Sequence, residues 1–258
     1  MMRRLATVLT LLLIACSAGP AAAERLVVSL SNHRVAVTSN FVGEELVLFG
    51  TIEPDPAGQL RPPYDLVVTV TGPQQTMRTR RKQRMLGIWV NVDSREFVSV
   101  PSYLAVLSNR PVAEIADQET LRKLQIGLNY FLLPQRIGPD VADTVTDDPF
   151  RRAFVRLQRQ QGLYRESSTA VTFLTPTVFR TAIAMPAAVP TGTYAVEVEL
   201  FSQGKLVART NSALEVIKAG FEQYVADAAR DYGLLYGMAT ALMALLIGWF
   251  ASVVFRRD

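Results

Sequence analysis

The chain has 258 residues, 49% of them hydrophobic, with 27 Lys+Arg against 23 Asp+Glu and a formal net charge of +4. One histidine and one cysteine exclude a multi-histidine zinc centre and an internal disulfide. The basic excess sits at the ends: without Arg3, Arg4, Arg256, Arg257 and Asp258, 23 basic and 22 acidic side chains remain, so bulk charge predicts no nucleic-acid partner.

Arg3 and Arg4 precede an apolar run from Leu5 to Ala15 and the small residues Ala21-Ala22-Ala23. This is the layout of a secretory signal peptide over 1–23, cut after Ala23, with an apolar run too short to cross a bilayer. A competing reading takes Leu13-Ile14-Ala15-Cys16 as a lipobox with a lipidated cysteine. In both readings the exported domain lacks a disulfide, and about 210 residues bury enough core without one.

From Glu24 onward a period of two dominates. Leu26-Val28-Leu30, Val35-Val37, Leu46-Leu48, Leu66-Val68-Val70 and Ile88-Val90-Val92 each set apolar side chains on one side of a strand, with Gly, Pro and Asn/Asp clusters between the runs. The pattern predicts a mainly β fold, an Ig-like β-sandwich over 24–217. His33 lies in Ser31-Asn32-His33-Arg34, which reads as a solvated turn and not as a catalytic base. Between Met77 and Met85 alternation places Arg78, Arg80, Lys82 and Arg84 on one face of a strand and Arg81 on the other. Such a row suits an oxyanion or lipid headgroups, making these four the candidate binding residues. The alternative is an edge strand kept solvated and unpaired by its charge.

The period lengthens toward 3.6 from about Pro111 to Arg165, predicting a helical insertion. Asp117 to Leu128 reads as one helix. The second starts with Asp148 as N-cap and Pro149 at the first helical position, placing Phe150, Ala153, Phe154 and Leu157 on one face and Arg151, Arg152, Arg156 and Arg159 on the other. Two small domains with a helical joint remain the alternative to one sandwich. Asp140, Asp143, Asp147 and Asp148 match no calcium-loop spacing and read as a solvated loop with a helix cap.

Strands return at Ala170 to Leu174, Val178 to Met185 and Tyr194-Val196-Val198-Leu200, the last with Glu197 and Glu199 on its opposite face. Ser202-Gln203-Gly204-Lys205 then turns the chain into Leu206 to Ile217. These residues match a Ser-x-x-Lys nucleophile pattern by letter, but that chemistry needs a helix start, so the match reads as chance. Phe221, Tyr224, Val225 and Ala228 recur at helical spacing within a juxtamembrane helix at 218–232. Gly233 to Phe255 is apolar throughout and long enough to span a membrane, followed by a tail at 256–258. The positive-inside rule keeps Arg256 and Arg257 in the cytoplasm, with Tyr232 and Tyr236 near the outer interface and Trp249 near the inner one. Gly237, Ala241, Ala244, Gly248 and Ala251 fall on one seam of that helix, a candidate packing face for a partner or a second copy.

Ser31-Asn32-His33-Arg34, Leu48-Phe49-Gly50, Thr79-Arg80-Arg81-Lys82 with Gly87-Ile88-Trp89-Val90-Asn91, Gly162-Leu163-Tyr164-Arg165-Glu166, Pro190-Thr191-Gly192-Thr193-Tyr194, Gly248-Trp249 and Phe255-Arg256-Arg257-Asp258 are the residues that resemble a known family. They look like the uncharacterised putative transmembrane proteins of alphaproteobacteria, over essentially the whole mature chain. The resemblance implies a bacterial inner-membrane protein with a periplasmic domain, its gene often near those of permeases resembling the TauE/SafE sulfite exporters. It brings no catalytic residues, binding residues or cofactor.

Two functions stand open. One, implied by the resemblance, is a non-enzymatic accessory protein of a sulfite or organosulfur-anion permease, held in the inner membrane. The other is a stand-alone periplasmic anion-binding or envelope-sensing module. An enzyme is a distant third, and neither a metal nor a cofactor is expected.

Overall fold

A computed structural model describes residues 24–54, 59–60, 62–137, 140–143 and 148–254. The expected signal peptide, Asp147 and the C-terminal tail from 255 lie outside the described residues.

Alternating apolar residues build two facing sheets. The first runs in the order β1 (Arg25–Leu30), β3 (Gly43–Glu53), β12 (Val178–Pro186), β11 (Val171–Phe173), with every pair antiparallel. The second runs β10 (Tyr164–Ser167), β7 (Leu104–Ser108), β4 (Tyr64–Thr71), β13 (Gly192–Ser202), β14 (Lys205–Lys218), β2 (Arg34–Val37). Leu26, Leu46, Leu48, Ile52 and Phe179 from the first sheet share one buried cluster with Leu66, Val68, Tyr194, Val196 and Val198 from the second. The fold is mainly β, as the alternation predicts. Within the first sheet Gly50 faces Phe179 on the neighbouring strand and leaves room for its ring, which would stand 2.2 Å from an added Cβ. Where the chain enters β13, the Tyr194 hydroxyl donates back to the Pro190 carbonyl and pins the bend, in the manner of a tyrosine corner.

β4 is buried from Tyr64 to Val70, because its second face is covered as well. A one-turn helix α1 (Val112–Ile115) and α2 (Gln118–Leu124) lie there, packing Val112, Ile115 and Leu121 against Val67, Val106 and Phe201. α2 is shorter than the helix read from Asp117 to Leu128: Gln125 takes a left-handed conformation (φ 55°) and ends it.

A third sheet was not legible in the sequence. Its order is β5 (Gln74–Met85), β6 (Ile88–Pro101), β8 (Pro134–Ile137), β9 (Asp140–Asp143), so two strands lie inside the segment expected to be helical. α3 (Pro149–Gln160) packs on the base of this sheet through Phe154, whose ring is 4.8 Å from Phe97 and 5.7 Å from Tyr164. Asp148 caps α3, its carboxylate accepting from the Phe150 and Arg151 amides at 2.8 and 2.9 Å. The inward face differs from the one predicted. Phe150, Arg151, Phe154 and Gln158 are buried, whereas Leu157 is exposed. Arg151 turns inward and its guanidinium donates to the Phe131 and Asn129 carbonyls at 2.6 and 3.4 Å, hydrogen bonds that offset part of the cost of burying it.

β13 runs antiparallel to both neighbours, with Ala195 opposite Thr71 and Gly192 opposite Val216. The end of β4, from which the β5–β6 hairpin leaves, and the end of β14 therefore lie at the same end of the second sheet. From Lys218 only Ala219 and Gly220 lead into α4 (Phe221–Asp231), and Tyr232 joins that helix to α5 (Gly233–Val254). None of the residues of α5 is buried against the domain.

Candidate functional site: a cationic hairpin beside an arginine helix

β5 is an edge strand, paired on one side by β6. The register sets Arg78 opposite Glu96, Arg80 opposite Ser94, Lys82 opposite Asn91 and Arg84 opposite Trp89. These four cations share a face, since alternation along β5 is unbroken: the irregularity between Arg81 and Lys82 is an extra residue in β6. They are not equivalent. Arg78 is paired, donating to Glu96 at 3.2 Å, a carboxylate that Arg136 also approaches at 3.8 Å. Arg80, Arg81, Lys82 and Arg84 have no carboxylate partner among the described residues. The observed edge position also fits the reading of a strand protected by charge.

A groove between β5 and α3 is lined by Arg80, Arg81, Lys82, Phe150, Arg156 and Leu157. Arg156 comes from the helix face turned away from Phe154, so strand and helix present cations to one opening. Beside the groove, the Arg95 guanidinium lies over the Phe150 ring, 5.0 Å from its centre, and 3.6 Å from Asp93. The groove can hold an anion by charge. Residue patterning sets the arginines of α3 on the face opposite Phe150 and Phe154 without connecting them to β5, because the helix and the strand lie far apart in the sequence.

Beyond Thr79 the hairpin leaves the core. Residues Arg80 to Met85 of β5 are exposed, as are Ile88, Trp89, Val90 and Val92 of β6. This corrects the expectation that Ile88, Val90 and Val92 face a core: the packing of α3 stops short of them. Met85 pairs with Ile88 across a two-residue loop in which Leu86 and Gly87 both have positive φ, 48° and 88°. Such loops favour Asn-Gly. Here Leu86 is 105% exposed. The signal available in the sequence was Met85-Leu86-Gly87-Ile88, a hairpin loop carrying a leucine at its apex.

Glu199 is a second departure. It was expected on the polar face of β13, yet it is 1% exposed and both its oxygens lack hydrogen bonds. Arg209 Nε is 3.6 Å away, a distance that permits attraction but not a hydrogen bond, while its terminal nitrogen bonds Glu197 at 2.8 Å. Burial raises the Glu199 carboxyl to about 7, with Arg209 lowering it and Glu197 raising it further. His33 is exposed in its turn, and its carbonyl accepts from the Glu215 amide at 2.8 Å. Ser202 and Lys205 pair across the hairpin turn at Gln203-Gly204 and do not stand at a helix start. Among the described residues no group of three or more His, Cys, Asp or Glu side chains is placed to hold a metal; Asp148 is committed to its cap.

In α5 the five small residues Gly237, Ala241, Ala244, Gly248 and Ala251 lie within an arc of about 80° at 3.6 residues per turn. No atom beyond the helix's own backbone comes within 4 Å of a Cβ built on Gly237 or Gly248. Among the described residues the seam has open space in front of both glycines.

The family model described as "Putative transmembrane protein (Alph_Pro_TM)" matches residues 25–257. No curated protein matches the chain.

Proposed function

The chain belongs to this family of putative transmembrane proteins, and from that membership we propose that it is a single-pass accessory protein of the bacterial inner membrane. In this reading the β domain is periplasmic, the last residues are cytoplasmic, and the chain is a non-enzymatic partner of a permease of the sulfite or organosulfur-anion exporter type. The supporting observation is the path from β14 to α5. A long apolar helix, unburied along its length, follows the domain through an 11-residue helix without a Gly/Ser-rich linker. A domain joined this way is held close to the bilayer and beside whatever α5 packs against. Purification of the full chain from native membranes in mild detergent should bring a multi-spanning permease with it. Recovery of the chain alone, at every detergent tested, removes the permease from the reading.

The cations of β5 favour a second reading, an anion-binding or envelope-sensing module with no permease. Arg80, Arg81, Lys82 and Arg156 line one groove without carboxylate partners among the described residues. Sulfite, sulfate and phosphate titrated onto the purified chain separate the two readings: saturable binding by a chain that purifies alone supports the second.

A further inference from the structure

The tip of the β5–β6 hairpin places apolar side chains in water at a position where a polar residue would fit better. At the apex Leu86 has a left-handed backbone, a conformation in which Asn serves better than a branched apolar side chain, and it is completely exposed. Met85, Ile88 and Trp89 surround it, Trp89 with 67% of its surface exposed. Behind this apolar tip come Arg80, Arg81, Lys82 and Arg84, against which the stretch from Arg80 to Asp93 sets a single carboxylate, Asp93. A basic collar behind an apolar, tryptophan-bearing tip matches the chemistry of a bilayer surface, where cations meet lipid phosphates and tryptophan sits at the headgroup level.

We propose that the hairpin tip from Arg80 to Val92 is a second membrane contact, with Met85, Leu86, Ile88 and Trp89 entering the interface of an anionic bilayer and Arg80, Arg81, Lys82 and Arg84 binding its headgroup phosphates. The inference rests on the membrane tether of the function proposed above. The tether puts the tip within reach. The hairpin leaves the same end of the second sheet as the chain that runs to α5, and from Thr79 to Leu86 it extends about 23 Å at the rise of a strand. The intervening helix α4, 11 residues long, spans about 16 Å. With one end of the chain fixed in the bilayer, tip and surface meet at high effective concentration, so weak partitioning suffices.

Trp89 reports on this directly. The chain has two tryptophans, and Trp249→Phe leaves Trp89 as the sole emitter. The full chain is placed in nanodiscs of phosphatidylcholine alone or with added phosphatidylglycerol, and Trp89 emission and its quenching by acyl-brominated lipid are followed. With phosphatidylglycerol present, the emission should shift to the blue, bromolipid should quench it, and acrylamide should quench it several-fold less. High salt should weaken the effect, as should replacing Arg80, Arg81, Lys82 and Arg84 with Gln. Leu86→Asn, which keeps the turn and the fold, should abolish most of the shift. Water-like emission in anionic nanodiscs overturns the proposal, and protection of Trp89 in native membranes only would then assign the tip to a protein. A chain that does not enter nanodiscs overturns the tether and this inference together. Entry with Trp89 still in water overturns this inference alone.

Discussion

Glu199 shows at the scale of one residue what this fold tolerates. Its carboxyl is buried on the outer face of the second sheet near Val67 and Phe201, with Arg209 and Glu197 as the charged groups beside it. Desolvation dominates and raises its pKa from 4.5 to about 7. Between those two values the folded chain binds a proton that the unfolded chain has released. The contribution of Glu199 to stability is therefore most favourable on the acid side of about 4.5, falls as pH rises through about 7, and stays low above it, with a penalty of roughly 3 kcal/mol. Glu199→Gln keeps the shape and removes the charge. It should raise stability by roughly 1–3 kcal/mol on the alkaline side of pH 7 and flatten the slope. Urea unfolding of the chain in detergent over a pH series checks this; an unchanged slope in the variant would mean that Glu199 is solvated in the folded state.

At the scale of elements, much of the fold is legible in period and punctuation. β4, β12, β13 and β14 appear where alternation places them, and Asp148-Pro149 marks the start of α3 to the residue. What alternation cannot report is which surface covers a face. Ile88, Val90 and Val92 alternate as well as any core strand, yet their part of the hairpin projects past the packing. β8 and β9 are four residues each and lack an apolar alternation; β8 pairs with the edge of β6 and β9 with β8. The cationic row is legible by alternation, whereas the pairing of Arg78 with Glu96 and the neighbour Arg156 depend on tertiary contacts. In α5 the sequence pattern and the helix agree, and no residue of the helix is buried among the described residues. Packing supplies attraction between helices in lipid, so a seam of small residues permits close approach. Changing Gly237, Ala244 and Gly248 to Leu should preserve insertion and abolish association with a permease or a second copy. Equal signals from the natural and Leu segments in a helix-association assay would make α5 a plain anchor.

For the whole molecule the question is which side of the bilayer the β domain occupies. Arg256 and Arg257 directly follow the apolar stretch, and retention of such residues in the cytoplasm orients a single span. Read as a signal peptide, the N-terminal layout of Arg3-Arg4, apolar run and Ala21-Ala22-Ala23 independently predicts that the following domain is directed outward. Both ends thus predict one orientation, with β14 on the outer side. The domain lacks an internal disulfide, so its core alone must hold it there. An enzyme active only outside the cytoplasm, fused after Ile217, should be active, and the same enzyme fused after Asp258 should be silent. A reporter active only in the cytoplasm should give the reverse pair. If the cytoplasmic reporter is active after Ile217, the domain lies inside, and the periplasmic accessory role fails whatever α5 binds. A hairpin that dips into lipid would then meet the cytoplasmic leaflet instead.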